Sequence, residues 1–147
     1  PEKSPYQVYQ RLPSIVSRHI IDIGEATTLK GSALAAADII KALNIPANTI
    51  VLCGFVRVVI PCTAGCTISV GDTAAAAGYI AAGTSASAAA GTVYGFNGPT
   101  MQSGTTPFAI TGGKYYTTAD TLNITLGGTA PTVGQLEVIL TGYSTNN

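Results

Sequence analysis

The chain has 147 residues, of which 46% are apolar and only 10% charged, with seven basic side chains balancing seven acidic ones. So neutral a chain carries no polybasic footprint for nucleic acid or an anionic membrane surface, and it is too apolar for a disordered protein. One His and seven carboxylates are poor material for acid–base catalysis, and the chain reads as a protein that is not an enzyme.

The mean hydropathy of +0.36 does not come from a membrane span. Gly, Thr and Pro interrupt every apolar run well short of the roughly 20 residues that a spanning helix needs. It comes from Ala, Gly and Thr standing where a soluble domain usually carries charge. A surface of that kind suits a protein that is covered by a partner.

Nine of the fourteen charges fall in residues 1–41, and the first 18 residues hold Pro1, Pro5 and Pro13 with no helical or strand period. Proline at those spacings favours extended backbone. Residues 1–18 are therefore predicted to form an extended N-terminal arm, and residues 19–147 a β-sandwich domain. The arm is sticky for a solvated tail, and Tyr6, Tyr9, Arg11, Leu12, Ile15 and Arg18 are its predicted partner-binding residues. Fully extended, 18 residues reach about 60 Å.

Beyond the arm, a short strand is expected at Ile20–Ile23, ended by Gly24. Between Ala33 and Ile45 the alanines favour helix. Ile39-Ile40 and the turn chemistry of Pro46-Ala47-Asn48 favour a strand over 38–45, which is the preferred reading. Residues 49–60 are apolar on both faces of a strand: Ile50, Leu52, Val56, Val58 and Ile60 on one, Val51, Cys53, Phe55 and Val59 on the other. Something is expected to pack on each side. Val51, Phe55 and Val59 are the predicted oligomer interface, with the chain's own loop 73–91 as the rival cover. Cys53 reads as a buried thiol. Cys62 and Cys66 flank a hairpin tip; a bridge between them is conceivable but not favoured, and two thiols without further ligands do not make a zinc site.

Residues 66–70, 121–126 and 135–143 alternate apolar and polar side chains, the signature of half-buried antiparallel strands. Residues 73–91 are rich in Ala and read as a loop with one helical turn near Ser85–Ala90. Residues 95–113 read as a second loop holding a short strand at Pro107–Thr111. About eight short strands, turns at Gly112-Gly113, Gly127-Gly128 and Pro131, and no convincing helix predict an all-β, antiparallel, jelly-roll-like sandwich.

No constellation for chemistry stands out. His19 follows the arm and lacks triad partners, and no metal or other cofactor is expected. Asp72 and Asp120 sit in turn sequences, where a carboxylate accepts local backbone N–H groups. Tyr79, Tyr94, Phe96, Tyr115 and Tyr116 could form a sugar-stacking platform, but the preferred reading is that Tyr115 and Tyr116, adjacent in a strand, put one ring into the core and one outside.

The run Ala37-Asp38-Ile39-Ile40, then Ile45-Pro46-Ala47-Asn48-Thr49, Val70-Gly71-Asp72, Gly78-Tyr79 and Ala119-Asp120-Thr121-Leu122 before a closing apolar strand resembles small structural proteins of tailed bacteriophages, among them head decoration or cement proteins. The resemblance spans roughly residues 33–143 and rests on strand-and-turn signatures that other sandwiches share. It implies a jelly-roll-like module on the outside of a capsid, bound to the major capsid protein and commonly trimeric, with the arm gripping neighbouring capsid subunits. The alternative is a receptor- or glycan-binding module displayed on a virion, read by way of Tyr79, Tyr94 and Tyr116. Pro1–Arg18 has none of the heptad or collagen-like period of a fibre shaft.

Overall fold

The computed structural model describes residues 14–101 and 113–145. Residues 1–13, with Tyr6, Tyr9, Arg11 and Leu12, and the predicted strand Pro107–Thr111 lie outside the described residues. In chain order the elements are β1 (Ser14–Asp22), α1 (Ile23–Lys30), β2 (Ile39–Ile45), β3 (Thr49–Ile60), β4 (Cys66–Gly71), β5 (Ile80–Ser85), β6 (Val93–Gly95), β7 (Lys114–Tyr116), β8 (Asp120–Gly128) and β9 (Gln135–Ser144).

These strands make two antiparallel sheets. The first runs β1-β9-β3-β6, with β7 also paired to β3, and the second runs β2-β8-β4-β5. The sheets bury their facing sides against each other. Val56, Val58, Leu136, Val138 and Leu140 from the first sheet meet Ile68, Val70, Leu122, Ile124 and Leu126 from the second, all buried. Burying each such side chain is worth about 1.5–3 kcal/mol. The all-β sandwich expected from the alternating segments is the fold observed.

Three local readings change. The first strand starts at Ser14, not Ile20, and pairs along its whole length with β9 from Ser14↔Tyr143 to Asp22↔Gln135. Residues 14–18, counted with the arm from the sequence, are therefore sheet residues. A proline at position 13 forbids a helix but does not stop a strand from beginning at the next residue.

The helix α1 was not expected. Asp22 caps it, its side chain accepting from the Glu25 N–H at 3.0 Å, and Gly31 closes it at φ 72° with its N–H on the carbonyls of Thr27 and Thr28. Asp22 followed three residues later by Glu25 is the start signal that Gly24 and the threonines obscured.

The Ala-rich stretch is not one loop. Ile80–Ser85 forms the edge strand β5 on β4. Ala86 to Ala90, predicted as part of a helical turn, is an irregular turn leading into β6.

Asp72 ties the two sheets together at one end. Its Oδ1 accepts the N–H groups of Ala74 and Ala75 at 3.0 and 2.9 Å, the turn chemistry read from the sequence. Its Oδ2 accepts from Lys114 Nζ and from the Tyr116 hydroxyl, both on β7. Tyr116 in turn meets the Tyr79 hydroxyl at 2.5 Å, and Tyr79 stacks on Phe96 at 5.0 Å between ring centroids. Burial pushes the Asp72 carboxyl up, but the donors Lys114, Tyr116 and Ala75 outweigh it and hold it below the usual range. Burial pushes the Tyr116 phenol up. The backbone folds so tightly here that a Cβ on Gly71 would lie 1.8 Å from the Ala75 carbonyl oxygen, so only glycine fits.

Candidate docking face

Register decides what lies on the outside of the first sheet. In β3, Val51 pairs with Gly142 but Cys53 pairs with Thr141, so Leu52 is an extra residue, and a second irregularity separates Val58 from Ile60. Each extra residue reverses the inside–outside alternation that follows it. Val51 is therefore in the core at 0% exposure, whereas Cys53 is exposed. This corrects two expectations: Val51 packs within its own chain and leaves the predicted interface set, and Cys53 is not a buried thiol. Phe55 and Val59 are both half-buried, with Phe55 on the outward side opposite Ile139 and Val59 at the second irregularity.

Followed across the strands, the outward rows are Tyr115–Ile50–Tyr143, then Cys53–Thr141–Val16, then Phe55–Ile139–Arg18, then Val93–Arg57–Glu137–Ile20. Val16 is 68% exposed, and Ile20, Ile60, Val93, Tyr115 and Tyr143 are exposed as well. Scattered exposed apolar residues are ordinary. A contiguous apolar face across a sheet marks a surface that another molecule covers. No described segment lies over it: the stretch 80–95 runs as the edge strands β5 and β6 instead of folding across the face.

One charged group interrupts this face. Glu137, with its side chain 5% exposed, is held between Arg18 on β1 and Arg57 on β3. Arg18 Nε donates to Oε1, and Arg57 donates to Oε2 at 2.6 Å. The Arg18 guanidinium first and the Arg57 guanidinium second hold the Glu137 carboxyl below its usual range, against the cost of burial. Arg18 is thus engaged within its own sheet. Ile15, on the other side of β1, is half-buried. Neither stands in a free arm. The sequence hid this cluster because its members lie 80 and 119 residues apart.

The other candidate features resolve plainly. Tyr79 and Tyr116 are buried, and the half-buried Tyr94 donates its hydroxyl to the Ser85 carbonyl, so these three do not form a sugar-stacking platform. His19 is exposed on β1. Cys62 and Cys66 are free, buried thiols, and burial pushes Cys62 up to about 12. Among the described residues no group of His, Cys, Asp and Glu is placed to hold a metal ion, and no helix is long and apolar enough to cross a membrane.

No protein-family model matches the chain, and no curated protein matches it in sequence. Its fold does match solved structures. A chain of the cyanophage Pam1 capsid asymmetric unit is 21% identical, with a TM-score of 0.60 over 90% of this chain and 86% of that one. A chain from the acidic stable capsid of Helicobacter pylori bacteriophage KHP30 is 8% identical, with a TM-score of 0.58 over 90% and 89%. A chain of the capsid of Ralstonia phage GP4 is 18% identical, with a TM-score of 0.57 over 92% and 86%. At these identities the likeness is one of fold, and it extends over nearly the whole of each chain.

Proposed function

We propose that this chain is a structural protein of a bacteriophage virion, a head decoration or cement protein that sits on the capsid exterior and bridges subunits of the major capsid protein. The observation that carries the proposal is the apolar face of the β1-β9-β3-β6 sheet, which no described segment covers, on a fold shared with three chains from phage capsid structures. The strand order, with the first strand beside the last in one sheet and β2, β8, β4 and β5 in the other, supports the jelly-roll-like reading. The chain acts through contact area and not through chemistry. Of the contacts expected for the predicted arm, Tyr6, Tyr9, Arg11 and Leu12 are the proposed capsid contacts. The sandwich face with Phe55 and Val59 is covered by further copies, three in the expected assembly.

The test is quantitative. Virions carrying the wild-type chain are compared with virions carrying a full-length variant with Tyr6→Ala, Tyr9→Ala and Leu12→Ala, and copies per particle are counted by mass spectrometry. Loss of most copies, with the variant still folded, is the expected result. Absence of the wild-type chain from purified virions ends the proposal. Unchanged occupancy of the variant removes the arm from it.

A further inference from the structure

We infer that Cys62 and Cys66 are a built disulfide site: a small peroxide joins them, and the bond staples the β3–β4 crossing between the two sheets. The virion reading supplies only the setting, a chain made in a reducing cytosol and carried out of it on a particle.

Spacing alone does not favour the bridge, because it places the two cysteines around a turn without saying that they meet. The backbone brings them together. The Cys66 N–H donates to the Thr63 carbonyl at 3.0 Å and closes the turn. Ala86, fully buried, then holds both cysteines. The Cys62 N–H donates to the Ala86 carbonyl at 3.0 Å, and the Ala86 N–H donates to the Cys66 carbonyl at 3.1 Å. The two polar groups of one residue thus fix the cysteines side by side. Both side chains belong to the core, Cys62 at 5% exposure and Cys66 at 0%. Their thiols are hydrogen-bonded to each other. A disulfide needs neighbouring Cα atoms and converging side chains, and this arrangement supplies both.

The position of the pair sets what the bond does. β3 ends at Ile60 in the first sheet, and β4 begins at Cys66 in the second. Residues 61–65 are the crossing between them. Asp72, just beyond β4, ties the sheets together through β7 at the far end. A bond at Cys66 ties the near end.

The surroundings also choose the oxidant. Gly134 packs so closely on Cys62 that a Cβ there would collide with Sγ. A bulky disulfide reagent has no room to form an adduct, whereas hydrogen peroxide is little larger than water. Burial pushes Cys62 up to about 12, while at Cys66 the hydrogen bond with Cys62 opposes the upward push of burial. Cys66 therefore ionises first, and the thiolate is the nucleophile. Its sulfur attacks one peroxide oxygen and the O–O bond breaks. The departing hydroxide takes up the Cys66 proton as water, leaving a sulfenic acid. The Cys62 sulfur then attacks Cys66 Sγ. The S–S bond forms, the S–O bond breaks, and the hydroxyl leaves as water with the Cys62 proton. Two thiols lose two electrons in all, and one peroxide gains them.

The experiment uses the full chain, purified reduced. Iodoacetamide first caps the exposed Cys53 on the folded protein, and the buried pair is left free. Half of the sample is treated with excess hydrogen peroxide, and both halves are then unfolded in guanidinium with a maleimide. The untreated half is expected to take two maleimides. The treated half is expected to take none, to weigh two hydrogens less by intact mass spectrometry, and to regain both sites after dithiothreitol. The oxidised protein is expected to melt about 5 °C above the reduced one, a modest gain because the closed loop is short. Peroxide is expected to give no such rise in Cys62→Ala or Cys66→Ala, each compared with its own untreated sample.

Two maleimides still taken after peroxide overturn the inference. Oxygen gained on either thiol without the linked product also overturns it, since that is the fate of thiols held apart. An oxidised form that melts no higher than the reduced one overturns the staple. All of this is read on the purified chain. Its failure leaves the virion proposal standing, and absence of the chain from virions leaves the disulfide standing.

Discussion

The two outward faces of this sandwich differ in kind. On the outside of the β2-β8-β4-β5 sheet the side chains are polar: Thr121 of β8, Lys41 and Asn44 of β2 and Thr67 of β4, with Asn123, Ser69 and the Thr125 hydroxyl buried among them and Ile39 the exposed apolar exception. The outside of the β1-β9-β3-β6 sheet is apolar across four strands, broken by one cluster of three charged residues. Both sheets are antiparallel and both bury their inner faces equally well, so core packing does not demand the difference. The apolar face gains about 25 cal/mol for each Å² that another molecule covers.

The largest expected effect comes from undoing what holds the two sheets in register. Asp72→Ala strands Lys114 and Tyr116 on β7 and releases the loop N–H groups of Ala74 and Ala75, and it is expected to lower stability by about 3 kcal/mol in urea unfolding. A loss under 1 kcal/mol would assign the anchoring elsewhere. Acid should do the same more gently. The folded-state carboxyls of Asp72 and Glu137 both lie below their ordinary values. Their contribution is in place above about pH 5, and it is lost as the pH falls through the unfolded values of about 3.9 and 4.3 and on through the lowered folded ones. Melting temperatures measured from pH 7 down to pH 2 check this.

Next in size is the charged cluster on the apolar face. Arg57→Ala leaves Glu137 with Arg18 alone. Its melting temperature is expected to fall below wild type at pH 7, and the gap to narrow as the pH drops and Glu137 takes up a proton. A gap that widens in acid contradicts the ion-pair account.

A smaller effect separates the faces directly. Val93→Lys on the apolar side is expected to weaken retention on a hydrophobic-interaction column, while Thr67→Lys on the polar side leaves retention nearly unchanged. Both should keep stability within about 0.5 kcal/mol of wild type, as surface substitutions do. Equal retention for the two variants would erase the contrast. Smallest of all is Thr125→Val. The Thr125 hydroxyl is buried without a hydrogen-bond partner, so replacing it with a methyl group is expected to be neutral or to stabilise by up to about 1 kcal/mol. A loss above 1 kcal/mol would mean that the hydroxyl is satisfied after all.

Alternation in 66–70, 121–126 and 135–143 was enough to find β4, β8 and β9, because a strand that buries one face writes a period of two directly into its sequence. The same local logic identified the Asp72 turn. It failed where long-range pairing overrode the local pattern. β5, β6 and β7 are short edge pieces with little alternation to read, and they exist because β3 and β4 offer them a partner. β3 defeated a simple count for a different reason. Its bulges are set by pairing against β9, so parity in the sequence put Val51 on the wrong face and hid the exposure of Cys53.

The residues alone thus determined the class of fold, since the period of alternation is a local property that survives in any conformation. Tertiary structure alone decided which apolar residues face outward and which charges meet. Sheet register and strand order join positions a hundred residues apart, and no local pattern along the chain records that distance.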